Sequence, residues 1–496
     1  MPMNDKPIKS KKAAPLKNWF TVGGAIISMG GLFAFLFLFF IDILAHHGNP
    51  YMGILAYVVA PAFILGGLGV AIFGAWRHHK ELRDVAPTEA ASELTIDLTR
   101  PRDRKIAMRF TIFAAFFLML TAFGSYQTYH VSESVQFCGE VCHTPMKPEF
   151  TAYQNSPHAR VDCVGCHVGK GAEAFVKAKI NGVHQLVGVI SGKYQHPIPT
   201  PIRNLRPARE TCEECHWPDK FTGNLDRTFT HYLADETNTM FTVRMSMKVG
   251  GSVSGHNGDP SIHWHVGKSN KVEYIADDVQ RTTIPWVRFT AADGKVTEYQ
   301  LKDFKGDLKG HETRTMDCLD CHNRPAHLFR TPNDAVDRAM ADGLIDTTIP
   351  WAKSNVVAAL IAPYSTENEA LEKISATLKE KYPKEPRVEK LVAATHAIYK
   401  TNFFPEMKAD WRSYPNHIGH KEWAGCFRCH DGNHKSADGK KTISATSCQS
   451  CHTILAQGSG ADLEKMNPKG QPFFHIDAVN EDFSCNNCHT GAFPKE

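Results

Sequence analysis

Cys163-Val-Gly-Cys166-His167 and Cys426-Phe-Arg-Cys429-His430 are two of six copies of one five-residue pattern, and the fold of this 496-residue chain turns on them. The other four are Cys212-Glu-Glu-Cys215-His216, Cys318-Leu-Asp-Cys321-His322, Cys448-Gln-Ser-Cys451-His452 and Cys485-Asn-Asn-Cys488-His489. A seventh, Cys138-Gly-Glu-Val-Cys142-His143, has one extra residue between its cysteines. Together the motifs use all 14 cysteines. Two cysteines three positions apart lie on one face of a helical turn. Each can form a thioether to a vinyl group of one porphyrin, and the next histidine is then held under the iron as an axial ligand. This is the attachment pattern of c-type haem. Zinc knuckles, redox dithiols or disulfides explain the cysteines but give no reason for a histidine after every second one. With only 26 histidines in the chain, seven coincidences are not credible. Seven covalent c-type haems are therefore expected, and with them electron transfer.

Haem is attached outside the cytoplasmic membrane, so the motif-bearing part must be exported. Three apolar runs, 19–45, 51–76 and 106–126, each reach the ~20 residues that span a bilayer core. Lys6, Lys9, Lys11, Lys12 and Lys17 precede the first, and Arg77, Lys80, Arg83, Arg100, Arg102, Arg104, Lys105 and Arg109 lie around the loop between the second and third. The turn Asp42–Pro50 has no Lys or Arg. By charge bias the N-terminus is cytoplasmic, and everything after Tyr126 is periplasmic. A cleaved signal peptide is a poorer reading, because the first run is long and is followed at once by another. Three spans in the bacterial inner membrane put the motifs in the compartment where haem is attached. The net charge of +4, with basic residues near the apolar runs, gives no indication of nucleic-acid binding.

The expected fold is three N-terminal transmembrane α-helices plus a loop-rich, mainly α multihaem periplasmic region with a small β-rich insertion. The boundaries read as a membrane anchor over 1–130 and a tetrahaem region over 131–330, with the insertion at about 218–317. A haem-free helical segment follows over 331–400, then a trihaem region over 401–496. Strand alternation marks Lys271–Ile275, Ile284–Phe289 and Val296–Gln300. Helical patterning marks Asn333–Met340, Glu367–Tyr382 and Pro386–Tyr399.

Each haem needs a second axial ligand unless its site is open. Fourteen non-motif histidines follow His130, and five stand close to motifs: His158, His327, His420, His434 and His475. These are the expected distal ligands. His231, His263 and His265 lie in the insertion, from where one can reach back to a haem. Met146, three after His143, is a candidate ligand of the first haem or a packing group on the porphyrin edge.

The order of a membrane helix, the wide first motif, Cys142-His143-Thr-Pro-Met146, then Ser156-Pro-His158 leading into Cys163–Val168, resembles the NapC/NirT/NrfH family of membrane-anchored quinol dehydrogenases over roughly 106–330. The longer pattern is similar to heptahaem inner-membrane cytochromes of metal-reducing bacteria (ImcH type). It includes the Gly48-Asn-Pro-Tyr51 turn, Arg206-Pro-Ala-Arg-Glu-Thr-Cys212 and Cys426-Phe-Arg-Cys-His-Asp-Gly432. The resemblance implies oxidation of menaquinol at the outer membrane face and delivery to periplasmic c-type cytochromes. It also implies that His158 is a distal ligand and that Met146 can ligate the first haem. Tetrahaem members of the family usually have one span, whereas this chain has three runs.

Quinol oxidation needs a proton acceptor beside an electron acceptor. Lys177, Lys179 and His184 are the candidates to bind or deprotonate quinol, although lysines there also suit a face meeting lipid phosphate. Two other functions compete. One is an electron conduit within a larger complex or homo-oligomer. The other is a terminal nitrite or hydroxylamine reductase, which needs an open iron that a full set of histidines does not favour.

Overall fold

The computed structural model describes residues 19–44, 59–82, 99–141, 143–168, 172–202, 206–221, 223–250, 261–268, 270–305, 308, 310–445, 448–475 and 485–492. The Asp42–Pro50 turn in large part, most of the basic leader and the residue Cys142 lie outside these. Two compact units divide the chain. One comprises residues up to Ser134 with 168–187, and the other comprises 135–167 with 188–496.

The first unit is built on helices α1 (Trp19–Leu44), α2 (Ala60–Leu82) and α3 (Pro101–Glu133). α1 and α2 are long and apolar enough to cross a membrane, over Phe20–Leu38 and Ala60–Arg77. They pack through glycines seven apart, Gly24 and Gly31 on α1 and Gly67 and Gly74 on α2. A Cβ at Gly74 would come within 2.6 Å of the Thr21 amide, and one at Gly31 within 3.0 Å of the Ile64 amide. Ser28 Oγ donates to the Ile64 carbonyl at 2.9 Å. Small residues that let backbones approach are the usual basis of helix association in lipid. The outward faces expose Phe33, Phe37, Leu65, Ile72 and Trp76, as lipid-facing helices do. α3 starts with Pro101 in its first turn, where the missing N–H costs nothing. Its uninterrupted apolar stretch, Ala107–Thr121, is shorter than a full span.

The second unit has little regular structure around its motifs and a compact helical block elsewhere. Helices α4 (Val135–Glu140), α5 (His143–Gln154), α6 (Cys163–His167), α8 (Ala208–Cys212) and α9 (Cys318–Cys321) are short and mostly carry motif residues. α7 (Ala172–Ile190) lies across the boundary between the units. The block consists of α10 (Pro332–Ala341), α11 (Ala352–Ile361), α12 (Glu367–Lys381) and α13 (Val388–Asn402). Val336, Ile345, Val356, Leu360, Ile374 and Leu391 form its core, each at most 1% exposed. Thr331 caps α10 by accepting from the Asp334 amide, and Thr366 caps α12 through the Glu369 amide. α11 has no counterpart among the expected helices. It is buried on most sides, so it lacks the one-sided apolar period that marks a surface helix.

Two sheets complete the unit. β3 (Lys271–Ile275), β4 (Trp286–Thr290), β5 (Val296–Gln300) and β6 (Arg314–Thr315) form an antiparallel sheet in the order β5-β4-β3-β6. β1 (Leu225–Tyr232) and β2 (Met240–Met247) take β7 (His452–Gly458) as a third strand, with a bulge at Arg244/Met245. This pairing ties the insertion to the C-terminal region, and β7 begins at a motif histidine.

Lys353 and Asp337, 4% and 5% exposed, form a buried ion pair in the helical block. Lys353 also donates to the Asn333 carbonyl (3.1 Å), and Asp337 accepts from the Tyr232 amide (3.0 Å) and His231 (3.1 Å). Breaking a buried pair leaves an uncompensated charge. K353M is therefore expected to lower unfolding stability by about 3–5 kcal/mol. The double variant K353M/D337L should recover part of that loss, as read from thermal melts of both proteins.

Candidate functional site

Four of the motifs share one local geometry. A helical or 3₁₀ turn over Cys-x-x-Cys brings the histidine amide back onto the first cysteine's carbonyl, whereas at the sixth motif His452 instead opens strand β7. This bond measures 2.8 Å for His216 to Cys212 and for His322 to Cys318, 3.1 Å for His430 to Cys426 and 2.9 Å for His489 to Cys485. The histidine thus stands one turn from the first thiol on the same side. None of the thirteen described cysteines is joined to another in a disulfide.

Six motif histidines each face a second imidazole from a distant segment. His167 faces His327 with ring centroids 6.1 Å apart, and His216 faces His158 at 6.2 Å. His322 faces His263 at 6.4 Å, and His430 faces His265 at 5.9 Å. His452 faces His420 at 6.2 Å, and His489 faces His475 at 6.0 Å. Such separations are too long for contact between rings. A metal–imidazole bond of about 2 Å on each side would hold two such rings with centroids roughly 6 Å apart. Among the described residues no three His, Cys, Asp or Glu side chains converge on one point, as a zinc site would need.

The outer nitrogens are fixed by main-chain carbonyls, which sets the tautomer and leaves Nε2 as the free lone pair. Nδ1 of His158 donates to Pro325 O (3.1 Å), that of His327 to Glu149 O (3.0 Å), that of His263 to Val249 O (2.8 Å) and that of His265 to Ile262 O (2.9 Å). Burial lowers the pKa of His167, His265, His322, His327, His420, His430, His452 and His489, which keeps them neutral. A neutral imidazole is the form that ligates a metal. Burial likewise pushes the Cys321 and Cys429 thiols up to about 12. Arg324 steadies the second motif's surroundings. It pairs with Glu149 (3.1 Å), donates to the His327 carbonyl (2.7 Å) and lies over the Tyr414 ring.

Successive motifs approach one another in chain order. The Cys163 thiol lies close enough to Cys138, and Cys212 to Cys318, for each pair to perturb the other's ionisation. Cys166 lies in the field of Cys215, Cys321 in that of Cys426, Cys451 in that of Cys426 and Cys448, and Cys485 in that of Cys448.

Residues 100–198 match the N-terminal region of the NapC/NirT cytochrome c family. The cytochrome c-type protein ImcH of Geobacter sulfurreducens is 39% identical over 486 residues, covering 94% of this chain and 93% of that protein. The chain belongs to the NapC/NirT cytochrome c family. No solved structure matches it. Membership means covalently bound haem, and the facing imidazoles beside paired thiols fit that group. As a member of this family the chain is a membrane-anchored electron-transfer protein.

Within this NapC/NirT cytochrome, sequence proximity does not decide which motif a distal histidine faces. His158 precedes Cys163 but faces His216, and His327 follows His322 but faces His167. His434 is a correction to the expected ligand set. It is fully buried, its Nδ1 is bonded to Asp431 (2.9 Å) and its Nε2 to Ile284 O (2.7 Å), so neither nitrogen is left for an iron. His263 and His265 take two of the six places, both from the 3₁₀ turn Ile262–Val266. The repeated His-x-His at 263–265 was their only signal in the sequence. His417 and His396 are bonded to Gln280 O and Leu371 O.

At the first motif, Gly139 is required because a Cβ there would overlap the Phe150 ring. Met146 is half-buried on α5, while Cys142 and the side chain of His143 lie outside the described residues. Lys177 and His184 are exposed on one face of α7, seven residues apart, and the side chain of Lys179 is not among those described.

Replacing His265 by Gly should convert one haem from low-spin to high-spin, and His263→Gly should convert a different one. His434→Asn should leave the low-spin spectrum intact. Electron paramagnetic resonance of the three oxidised holoproteins checks this.

Proposed function

We propose that this protein is a heptahaem inner-membrane quinol dehydrogenase. It oxidises menaquinol at the outer face of the membrane and passes electrons to periplasmic c-type cytochromes. One observation carries the reading: residues 100–198, which take in α3 and the first motif, match the N-terminal region of the NapC/NirT cytochrome c family, and behind that region six motif histidines each face an opposing imidazole. Sites closed by two histidines relay electrons and do not bind substrate. Bound haem supplies one-electron carriage at each motif. The residues do the rest by fixing position, protonation state and burial.

The chain tethers the first motif to the membrane anchor, since Cys138 follows the end of α3 at Glu133 by five residues. We take α3 as the third span, with the N-terminus cytoplasmic and the motifs periplasmic. Met146 is assigned as the first site's ligand. Facing pairs complete the second to seventh sites, and electrons run through the motifs in chain order. The domain reading is an anchor over 1–130, a tetrahaem region, a helical segment and a trihaem region.

α7 exposes Ile180, Val183, Val187 and Ile190 beside Lys177 and His184, the composition of a surface that meets lipid and its dissolved quinol. Lys177 and Lys179 would hold the quinol oxygens by hydrogen bonds, and His184 would accept a proton. Similarity to ImcH over nearly the full length supports the same overall role.

Anaerobic mixing of the detergent-solubilised protein with a menaquinol analogue, followed at the haem α-band, tests this. Rapid reduction blocked by a quinone-site inhibitor is expected. Reduction by dithionite but not by quinol would overturn it in favour of a conduit needing a donor subunit. His184→Gln should slow reduction by quinol roughly 10²-fold, with reduction by dithionite unchanged.

A further inference from the structure

The junction between the first four motifs and the last three holds a buried charge with no ionic partner. Arg428 stands between the cysteines of Cys426-Phe-Arg-Cys429 and is 9% exposed. Its guanidinium donates to three main-chain carbonyls: Gly425 at 2.8 Å, Arg281 at 2.8 Å and Asp320 at 2.6 Å. Among the described residues no carboxylate pairs with it. Asp320 lies inside the preceding motif, Cys318-Leu-Asp-Cys321, and is 1% exposed. Its carboxylate is already matched. It takes Arg281 Nη1 at 2.7 Å, the Tyr274 hydroxyl at 2.5 Å and the Asp317 amide at 2.7 Å. Asp431, just past the fifth motif, is bonded to His434. The other charged groups near the junction are Asp317 and Arg314, on the side of the fourth motif. Arg281, Arg314 and Arg428 are matched in number by Asp317, Asp320 and Asp431, and Arg428, inside the fifth motif, is the cation among them that is held by carbonyls alone.

Burying an unpaired cation is costly, and a carbonyl cage offsets that cost only in part. If Arg428 served only to bind carbonyls, a neutral donor could do it. A positive charge in a region of low dielectric stabilises an added electron nearby far more than it would in water.

We propose that Arg428 sets the electron affinity of the fifth motif's site, favouring its reduced state over that of the fourth and so directing electrons across the junction. One electron lost at the fourth site is one gained at the fifth, and no bond or proton is exchanged. The inference rests on the haem reading above. The two neighbouring sites share one clip, because His263 and His265 belong to a single turn, with Trp264 between them packed on Phe289. Their spacing is thus fixed, and charge is the remaining variable.

The test uses full-length holoprotein in detergent. The rings facing each other at the fourth site are nearly parallel (9°) and those at the fifth nearly perpendicular (79°), so the two sites differ in their low-spin resonance signals. Potentiometric titration of these signals should show that R428Q shifts the electron equilibrium between them about tenfold towards the fourth site, which is ~59 mV for one electron. R428K, which keeps the charge and disturbs the carbonyl bonds, should leave the equilibrium near the parent value. An unchanged equilibrium in R428Q, or an equal shift in R428K, would overturn the proposal. Should R428Q fail to fold, R428K alone decides, since a tenfold shift there contradicts a role for charge. Haem content is measured on the same samples. A parent protein lacking haem at these two motifs would instead sink the haem reading itself.

Discussion

Everything in the second unit answers to one spacing, the roughly 6 Å between two imidazoles that face each other without touching. A pair of rings held that way is not stabilised by its own contact. Each ring must be positioned from behind, and that explains why so many main-chain carbonyls (Pro325, Glu149, Val249 and Ile262 among them) are spent on Nδ1 atoms. The surrounding fold is loop-rich, with regular structure mostly in short motif turns, two small sheets and one helical block. That block keeps its own apolar core and is pinned by the Lys353–Asp337 pair, with both charges out of water.

The anchor obeys a different constraint. Lipid gives helices no hydrophobic reason to associate, so α1 and α2 approach through glycines at seven-residue intervals, where a side chain would collide with the opposite backbone. The second unit builds with bulky groups that stand apart, and the anchor builds with the smallest groups brought together.

The cysteine motifs were legible because the attachment chemistry dictates a local pattern. The strand 296–300 and the helix Glu367–Lys381 were legible for a similar reason, since each alternates more and less buried positions with the matching period, whereas 271–275 is buried on both faces and was marked by its residue types alone. Distal pairing was not legible, because it joins segments up to 165 residues apart, more than a hundred in two cases, and leaves no periodic trace. His434 illustrates the failure. It stands beside a motif in sequence, yet in the fold it belongs to a hydrogen-bonded corner under Ile284. His263 and His265 illustrate the converse, sitting far from any motif yet facing two of them. β7 was hidden for the same reason, since its partner β2 lies over two hundred residues upstream.

The crossed pairing has a consequence for how the protein is made. His158 faces the third motif and His327 the second, so the second motif's opposing ring is synthesised after the third and fourth motifs. Covalent attachment can proceed motif by motif as the chain is made, but completion follows another order. The second site waits for a residue 160 positions beyond its own histidine, whereas the third, with His158 and His216, and the fourth, with His263 and His322, already have both of their rings by then. The sites of the N-terminal half are therefore completed out of chain order, the third before the second.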